Sequence, residues 1–279
     1  MPTMISMVPL REPAMPELDG IASVLKEKWP DLPAPAEIED DGDGDADTDA
    51  EENDTILSFS LGEDMIFAAL MPAPIPWSEL EGPCATSILW ENAEEELRPS
   101  TAHLIVTVMS QTEEPFDVAV TLTQATAAIA TSMSQSIGIY WGNATLVVPT
   151  DLFTDMAAGL LPGPPIPIWV DLRVGSNDSG GMAGFTQGMR ALGHMDFETE
   201  DSPDSVGELR ERFFGLASYV IENGPVIKDG DTIGHEGEER VRVIYSPSAF
   251  GHDGQVMRLE WQRQKVHLPR AKKPWWKFW

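Results

Sequence analysis

Short apolar runs separated by turn residues recur along the chain, and this pattern predicts a protein rich in β-strands. Residues 56–60 and 65–70 are two such runs on either side of the turn sequence Gly62-Glu63-Asp64, which predicts a hairpin. The other runs that predict strands are residues 3–8, 103–109, 137–141, 145–148, 168–174, 185–192, 195–199, 240–245 and 255–261.

Apolar residues at helical spacing predict helices between these strands. The clearest case is residues 205–222, where Val206, Leu209, Phe213 and Val220 share one face. The other predicted helices are residues 15–28, 87–97, 116–133 and 150–158. This order favours an α+β fold, with mainly antiparallel sheets packed with helices, over a regular βαβ alternation. A strand, a helix and a strand pair follow in turn from residue 3 and again from residue 103, which suggests two related α/β sandwich lobes.

Composition changes abruptly at residues 36–54, which contain eleven acidic residues and two glycines. Such a segment buries too little apolar surface to offset the entropy of ordering, so it is predicted to be a disordered acidic loop. Its alternating aspartates match the ligand positions of a calcium loop, but Ala46 stands where the sharp turn needs glycine, so no metal site is predicted. The predicted division is an N-terminal α+β lobe (1–99) containing this loop, a C-terminal α+β domain (100–262) and a basic aromatic tail (263–279).

The formal net charge of -28 excludes nucleic acid as the expected main partner, because the field of the chain repels phosphates. A single cysteine, Cys84, permits no disulfide within the chain. The sequence also shows no signal-peptide pattern and no membrane span. Together these three observations favour a cytoplasmic protein. No phosphate-binding loop or dinucleotide fingerprint is found, so no cofactor is predicted.

Alternation of His194, Asp196 and Glu198 would place three ionisable side chains on one face of a strand. An enzyme could use them for acid/base or metal chemistry, whereas the favoured interpretation is the exposed face of a half-buried strand. For Asp229 and Asp231 the favoured interpretation is a tight turn before a strand. The residues that a carboxylate- or metal-dependent hydrolase would use are His103, His194, Asp196, Glu198, Asp229 and Asp231.

The last eleven residues, PRAKKPWWKFW, combine basic and aromatic side chains. Pro269 and Pro274 argue against one continuous amphipathic helix, which favours a short peptide that docks on a partner protein over a membrane anchor. The predicted partner-binding residues are Lys272, Lys273, Trp275, Trp276, Lys277, Phe278 and Trp279.

Three segments together resemble a known bacterial family. They are TQGMRALGHMDFE at 186–198, the helix ending ASYV at 217–220, and DGDTIG at 229–234. Over residues 183–261 they resemble the bacterial domain-of-unknown-function family numbered 4261. Shorter segments at 102–106, 138–141 and 168–170 are similar to ones that accompany that domain. The resemblance implies bacterial origin and a role in backbone shape for Gly188, Gly193, Gly230 and Gly234, but it brings no reaction.

The function that these observations favour is a non-enzymatic protein-binding or adaptor module with an immunity-like or effector-linked role. It rests on the incomplete catalytic sets, the acidic charge, and the two appendages suited to partner contacts. Two alternatives stay open: the hydrolase described above, and a peripheral membrane protein held by the C-terminal tail.

Overall fold

The computed structural model describes residues 4–38, 55–112, 114–234 and 240–262. In these residues the chain forms two mainly antiparallel sheets and seven α-helices, which confirms the predicted α+β fold. The helices are α1 (Leu18–Lys28), α2 (Trp77–Thr86), α3 (Ala93–Leu97), α4 (Pro115–Ser132), α5 (Thr150–Leu160), α6 (Ile166–Trp169) and α7 (Val206–Asn223). Within the described ranges, none of these helices has the length and apolar character needed to cross a bilayer.

The first sheet takes its strands from the first half of the chain. They are β1 (Ile5–Leu10), β2 (Ala36–Glu37), β3 (Ile56–Leu61), β4 (Asp64–Met71), β5 (Ala102–Met109), β6 (Gly138–Trp141) and β7 (Leu146–Pro149). The strand order is β2-β3-β4-β5-β1-β6-β7, and every pair is antiparallel.

Two features of this sheet differ from the prediction. The predicted boundary between residues 99 and 100 does not separate the sheets, because β5 is hydrogen-bonded to both β1 and β4. The acidic loop was predicted to begin at residue 36, which is wrong for Ala36 and Glu37, since they pair with Ser60 and Phe59. Residues 39–54 of that loop, and the calcium-loop pattern within it, lie outside the described residues.

Helices cover both faces of the first sheet. Ile139 and Val148 point into the main core, against which α1, α4 and α5 pack, whereas Tyr140 and Val147 point into a smaller cluster formed with α2 and α3. Neighbouring residues of a strand face opposite ways, so the two clusters lie on opposite faces. The predicted helix 87–97 is wrong in its first half, because the side chain of Ser87 accepts a hydrogen bond from the Trp90 amide in a non-helical turn and helix α3 begins only at Ala93.

The second sheet has six strands. They are β8 (Asp171–Ser176), β9 (Met182–Gln187), β10 (Phe197–Ser202), β11 (Thr232–Ile233), β12 (Val241–Pro247) and β13 (Gln255–Trp261). The order is β11-β12-β13-β10-β9-β8, and β10 pairs with β13 in parallel. Helix α7 packs on β8 and β9. It begins with a capping box, in which Ser205 accepts from the Glu208 amide and Glu208 from the Ser205 amide, close to the predicted start.

One core joins the two sheets, with α6 at the junction. The indole nitrogen of Trp169 on α6 donates to the hydroxyl of Thr123 on α4 at 2.7 Å, and Phe116 meets the Trp169 ring edge-on at 5.5 Å. The chain also turns at Gly188, whose φ of 121° suits glycine and where an added Cβ would lie 2.4 Å from the Trp169 carbonyl oxygen. The predicted strand 185–192 therefore ends at Gln187.

Candidate functional site

Asp196 and Glu198, two of the predicted site residues, lie inside the protein. Their exposed fractions are 4% and 1%, so the prediction that they lie on an exposed strand face is wrong. The reason is position: β10 is an inner strand, between β9 and β13, and neighbouring loops cover its start. His194 precedes this strand, is half-buried, and has a ring Nδ1 without a hydrogen-bond partner in the part of the chain that the structure describes. Burial lowers the pKa of His194.

The Asp196 carboxylate holds the turn that follows β9. Its Oδ1 accepts from the Thr186 hydroxyl at 3.0 Å and from the Met189 amide at 3.2 Å, while the Thr186 oxygen accepts from the Phe197 amide. Burial raises the pKa of Asp196 to about 6, against the opposing effect of those hydrogen bonds and of the neighbouring His252 and Arg190 side chains. Asp196 is therefore buried and bonded through Oδ1 to its own chain, an arrangement typical of a structural carboxylate.

The Glu198 carboxylate holds a different loop, the one between β12 and β13. It accepts from the hydroxyl of Ser248 and, at 2.9 Å, from the amide of Ala249. The Ser248 oxygen in turn accepts from the amides of Phe250 and His252. Glu198 thus fixes the position of the loop that carries Phe250.

The remaining candidates of the hydrolase set lie elsewhere. His103 is on β5 in the first sheet, with its Nδ1 2.8 Å from the Ala73 carbonyl oxygen. Asp229 accepts a hydrogen bond from the Tyr245 amide, and Asp231 accepts one from the Lys228 amide. Both aspartates therefore stabilise the turn that precedes β11 and contacts β12. No hydrogen bond or ion pair between described residues joins any two of the six candidates. Nor do the described residues contain a group of three or more His, Cys, Asp or Glu side chains suited to a metal ion.

Cys84 lies in the smaller apolar cluster under α2 and α3. Burial, followed by the negative charge of Glu94, raises the pKa of its thiol to about 11. The thiol therefore stays protonated, as expected of a cysteine that serves as a small apolar side chain.

The sequence did not predict a groove that the structure contains. One side of the groove is residues 85–89, the end of α2 and the turn after it; the other side is β8, the edge strand of the second sheet, together with α7. We call it the β8–α7 groove. Its larger part, the arginine compartment, has a volume of about 520 Å³. Its smaller part, the apolar compartment, has a volume of about 260 Å³. The two adjoin because both are lined by Leu172 and Arg210.

The arginine compartment has an aromatic wall. The Phe185 ring lies 5.2 Å from that of Phe250 and 4.5 Å from that of His252, and the Arg173 guanidinium lies 5.8 Å from the Phe185 ring centre. The residues that line the compartment are Ala85, Thr86, Leu172, Arg173, Val174, Gly175, Ser176, Ala183, Gly184, Phe185, Arg210 and Phe250.

The apolar compartment lies where α7 approaches β7 and α6. Its lining residues are Ser87, Ile88, Leu89, Leu146, Pro167, Val170, Asp171, Leu172, Arg210, Glu211 and Phe214.

Two guanidinium groups, the buried carboxylate of Asp171 and the exposed carboxylate of Glu211 set the charge of the groove. Arg173 donates through Nε to Asp171 and, at 3.2 Å, through a terminal nitrogen to the Thr145 hydroxyl. Arg210 makes no hydrogen bond or ion pair with any residue that the structure describes, and its Nε is buried. Burial raises the pKa of Asp171, and the positive charges of Arg173 and Arg210 oppose that rise.

No local pattern predicts this groove, since its residues come from six separate parts of the chain. The only available signal was the scarcity of basic residues, 18 in a chain with 46 acidic ones, which makes any pair of arginines notable. The predicted partner-binding residues of the tail, from Lys272 to Trp279, lie outside the described residues.

Comparison with known proteins reaches one part of the chain. No curated protein and no solved structure matches it. A family model does match from the middle of β9 to the end of β13, the stretch that holds Asp196, Glu198, α7 and Phe250. Residues 185–260 match the family described as a domain of unknown function (DUF4261), as the sequence resemblance predicted.

Proposed function

We propose that this protein is a non-enzymatic protein-binding or adaptor protein, and that its β8–α7 groove receives a segment of the partner. The observation that carries the proposal is the exposure of three large apolar side chains along the groove. Ile88, Phe214 and Phe250 have exposed fractions of 59%, 43% and 38%. Apolar side chains clustered at one surface are typical of protein interaction sites.

The shape and lining of the groove also support a binding role. Its two compartments fall within or near the volumes of ordinary ligand sites, and apolar walls with a few charged groups are typical of such sites. The apolar walls would supply affinity, while Arg173 and Arg210 would orient whatever binds.

The engagement of the candidate acidic residues supports binding over hydrolysis. Asp196 and Glu198 accept hydrogen bonds from the protein's own turns, and Asp229 and Asp231 do the same at another edge of the second sheet. A hydrolase would need these groups to face a shared cavity.

Charge and compartment complete the proposal. A net charge of -28 favours a protein partner over nucleic acid, and the buried free thiol of Cys84 suits a reducing bacterial cytoplasm. The tail, residues 263–279, is proposed as a separate docking segment on the strength of its basic and aromatic composition.

The test is a quantitative pull-down from bacterial lysate with the full-length chain and two variants. Phe214→Glu places a charge in the apolar compartment, whereas Leu160→Glu makes the same change at an exposed position of α5 outside the groove. We expect a stoichiometric partner to be retained by the wild-type chain and by Leu160→Glu, and its recovery to fall at least about tenfold with Phe214→Glu. Equal recovery with both variants, each checked for unchanged thermal unfolding, would contradict the proposal.

A further inference from the structure

We propose that the arginine compartment of the groove recognises a carboxylate in an acidic peptide segment of the partner protein. A neighbouring apolar side chain of that segment would occupy the apolar compartment. This inference rests on the proposed function, because it names the chemistry that the same groove would recognise.

Charge is the first reason. The arginine compartment is lined by Arg173 and Arg210 and by no Asp or Glu side chain, in a chain that has 46 acidic and 18 basic residues. Two carboxylates line the adjoining compartment: Asp171 is buried and pairs with Arg173, whereas Glu211 is exposed. Arg173 and Arg210 line the arginine compartment, whereas both carboxylates line the adjoining one, so positive charge is concentrated where an incoming anion would meet the two guanidinium groups.

The uncommitted hydrogen-bonding capacity of Arg210 is the second reason. Its guanidinium makes no hydrogen bond or ion pair within the described ranges, although the side chain is only partly exposed and its Nε is buried. A guanidinium has five N–H donors in a planar fork that fits the two oxygens of a carboxylate. A peptide carboxylate would therefore satisfy donors for which the described residues provide no acceptor.

The surroundings strengthen such a contact. Phe185 and Phe250 wall the arginine compartment, and Leu172 separates it from the apolar compartment. Aromatic walls lower the local dielectric constant, so an ion pair formed beside them is stronger than one surrounded by water. Since the two compartments share Arg210 and Leu172, one short segment can reach both.

A basic segment is the wrong occupant for this compartment. From Arg263 onward the chain carries six basic residues and no acidic residue, so its own tail would bring lysines toward two arginines. Like charges placed together in a poorly hydrated site repel each other strongly. The groove therefore favours an acidic partner segment over residues 263–279 or another basic peptide.

The experiment is a selection of random twelve-residue peptides on the full-length protein. The chains compared are the wild type, Arg210→Gln in the arginine compartment, Phe214→Glu in the apolar compartment, and Arg240→Gln as a control. Arg240→Gln changes the net charge as Arg210→Gln does, but at an exposed position that does not line the groove. The strongest selected peptide is then measured by fluorescence anisotropy against all four chains.

We expect selected peptides to carry Asp or Glu next to a large apolar residue. Arg210→Gln should weaken the strongest peptide at least about tenfold, and Arg240→Gln should change its affinity less than about twofold. Replacing the peptide carboxylate by its amide should cause the same loss in the wild type and little further loss in Arg210→Gln, because both changes remove one contact.

Each other outcome overturns a defined part of the argument. Peptides that need Phe214 but contain no acidic residue, and that bind Arg210→Gln normally, would overturn this inference and leave the proposed function standing. Selection of basic aromatic peptides similar to residues 269–279, or a wild-type dimer that Phe214→Glu dissociates, would assign the groove to this chain itself and overturn the inference. A selection in which no peptide depends on Phe214 would overturn both.

Discussion

The two sheets of this protein bury different kinds of polar group. Around the first sheet the buried polar residues are neutral hydroxyls and an amide together with His103, and a typical contact is the 2.5 Å hydrogen bond between the side chains of Ser6 and Thr126. In the second sheet the described residues include three buried carboxylates, Asp171, Asp196 and Glu198.

This difference shows that the second sheet contains buried groups that need specific partners, whereas the first sheet does not. A buried hydroxyl pair satisfies itself at small cost, whereas a buried carboxylate is tolerated only where several donors or a cation compensate it. In the second sheet those donors belong to the turn at residues 188–193, to the loop that carries Phe250, and to Arg173 in the groove. The match to DUF4261, residues 185–260, covers Asp196, Glu198 and the two loops but not Asp171 or Arg173.

If apolar packing dominates the first sheet, truncating a central side chain there should have the largest effect on stability. Leu104 is fully buried in β5, and we expect Leu104→Ala to lower the free energy of unfolding by about 2–5 kcal/mol, since it removes apolar contacts and leaves a cavity. Met109→Ala, at an exposed position of the same strand, should change it by less than about 0.5 kcal/mol. Urea denaturation measures both free energies of unfolding. A smaller loss for Leu104→Ala than for Met109→Ala would contradict the packing argument.

The buried carboxylate of Asp196 predicts a pH-dependent contribution to the stability of the protein. Its folded pKa of about 6 lies above the ordinary value of 3.8, so the folded state binds this proton more tightly than the unfolded state. Its favourable contribution is therefore complete below about pH 4 and is lost as the pH rises through 6. The advantage of the wild type over Asp196→Asn should fall by up to about 3 kcal/mol between pH 4 and pH 7.

Denaturation at several pH values checks this prediction. Asp253→Asn is the matched control, because it makes the same change at an exposed position of the second half of the chain. A wild-type advantage that rises with pH in the Asp196 series would show that hydrogen bonding, rather than burial, controls this carboxylate.

The smallest effect is expected for Glu198, because its loss disturbs one loop. Glu198→Ala leaves the Ser248 hydroxyl and the Ala249 amide without their acceptor, which should cost about 1–3 kcal/mol. Hydrogen–deuterium exchange should show faster exchange at residues 248–252 than in the wild type, with β5 unchanged. Glu200→Ala, at an exposed position of the same strand, should leave both regions at wild-type exchange rates. Equal exchange rates at residues 248–252 in the two variants would show that Glu198 does not hold the loop that carries Phe250.

Local patterns predicted much of the fold. The hairpin of β3 and β4 and the helices α4 and α7 lie within a few residues of their predicted positions, because apolar periodicity, turn residues and an N-cap act over short distances. The pattern failed at residues 87–92, where the short apolar segment has helical spacing but Ser87 and the buried Trp90 form a turn packed on Gly138. That choice depends on a contact with a distant strand.

The candidate site was predictable only in part. The alternation of Asp196 and Glu198 drew attention to the correct strand, but their burial depends on strands β9 and β13 on either side, which the sequence does not order. The groove was not predicted because Arg173, Arg210 and Phe250 are far apart in sequence. The packing of α7 on β8 and β9 brings the two arginines together, and the loop between β12 and β13 brings Phe250 against Phe185.

The sequence by itself determined the α+β class, most element positions, the acidic charge, the resemblance over residues 183–261 and the absence of a complete short catalytic motif. These properties follow from composition and from interactions between residues near each other in the chain. Only the tertiary structure decided that β5 joins the first sheet, that three carboxylates are buried, and that two arginines share a cavity. Burial and charge pairing depend on which distant segments meet, and that is a property of the packed chain.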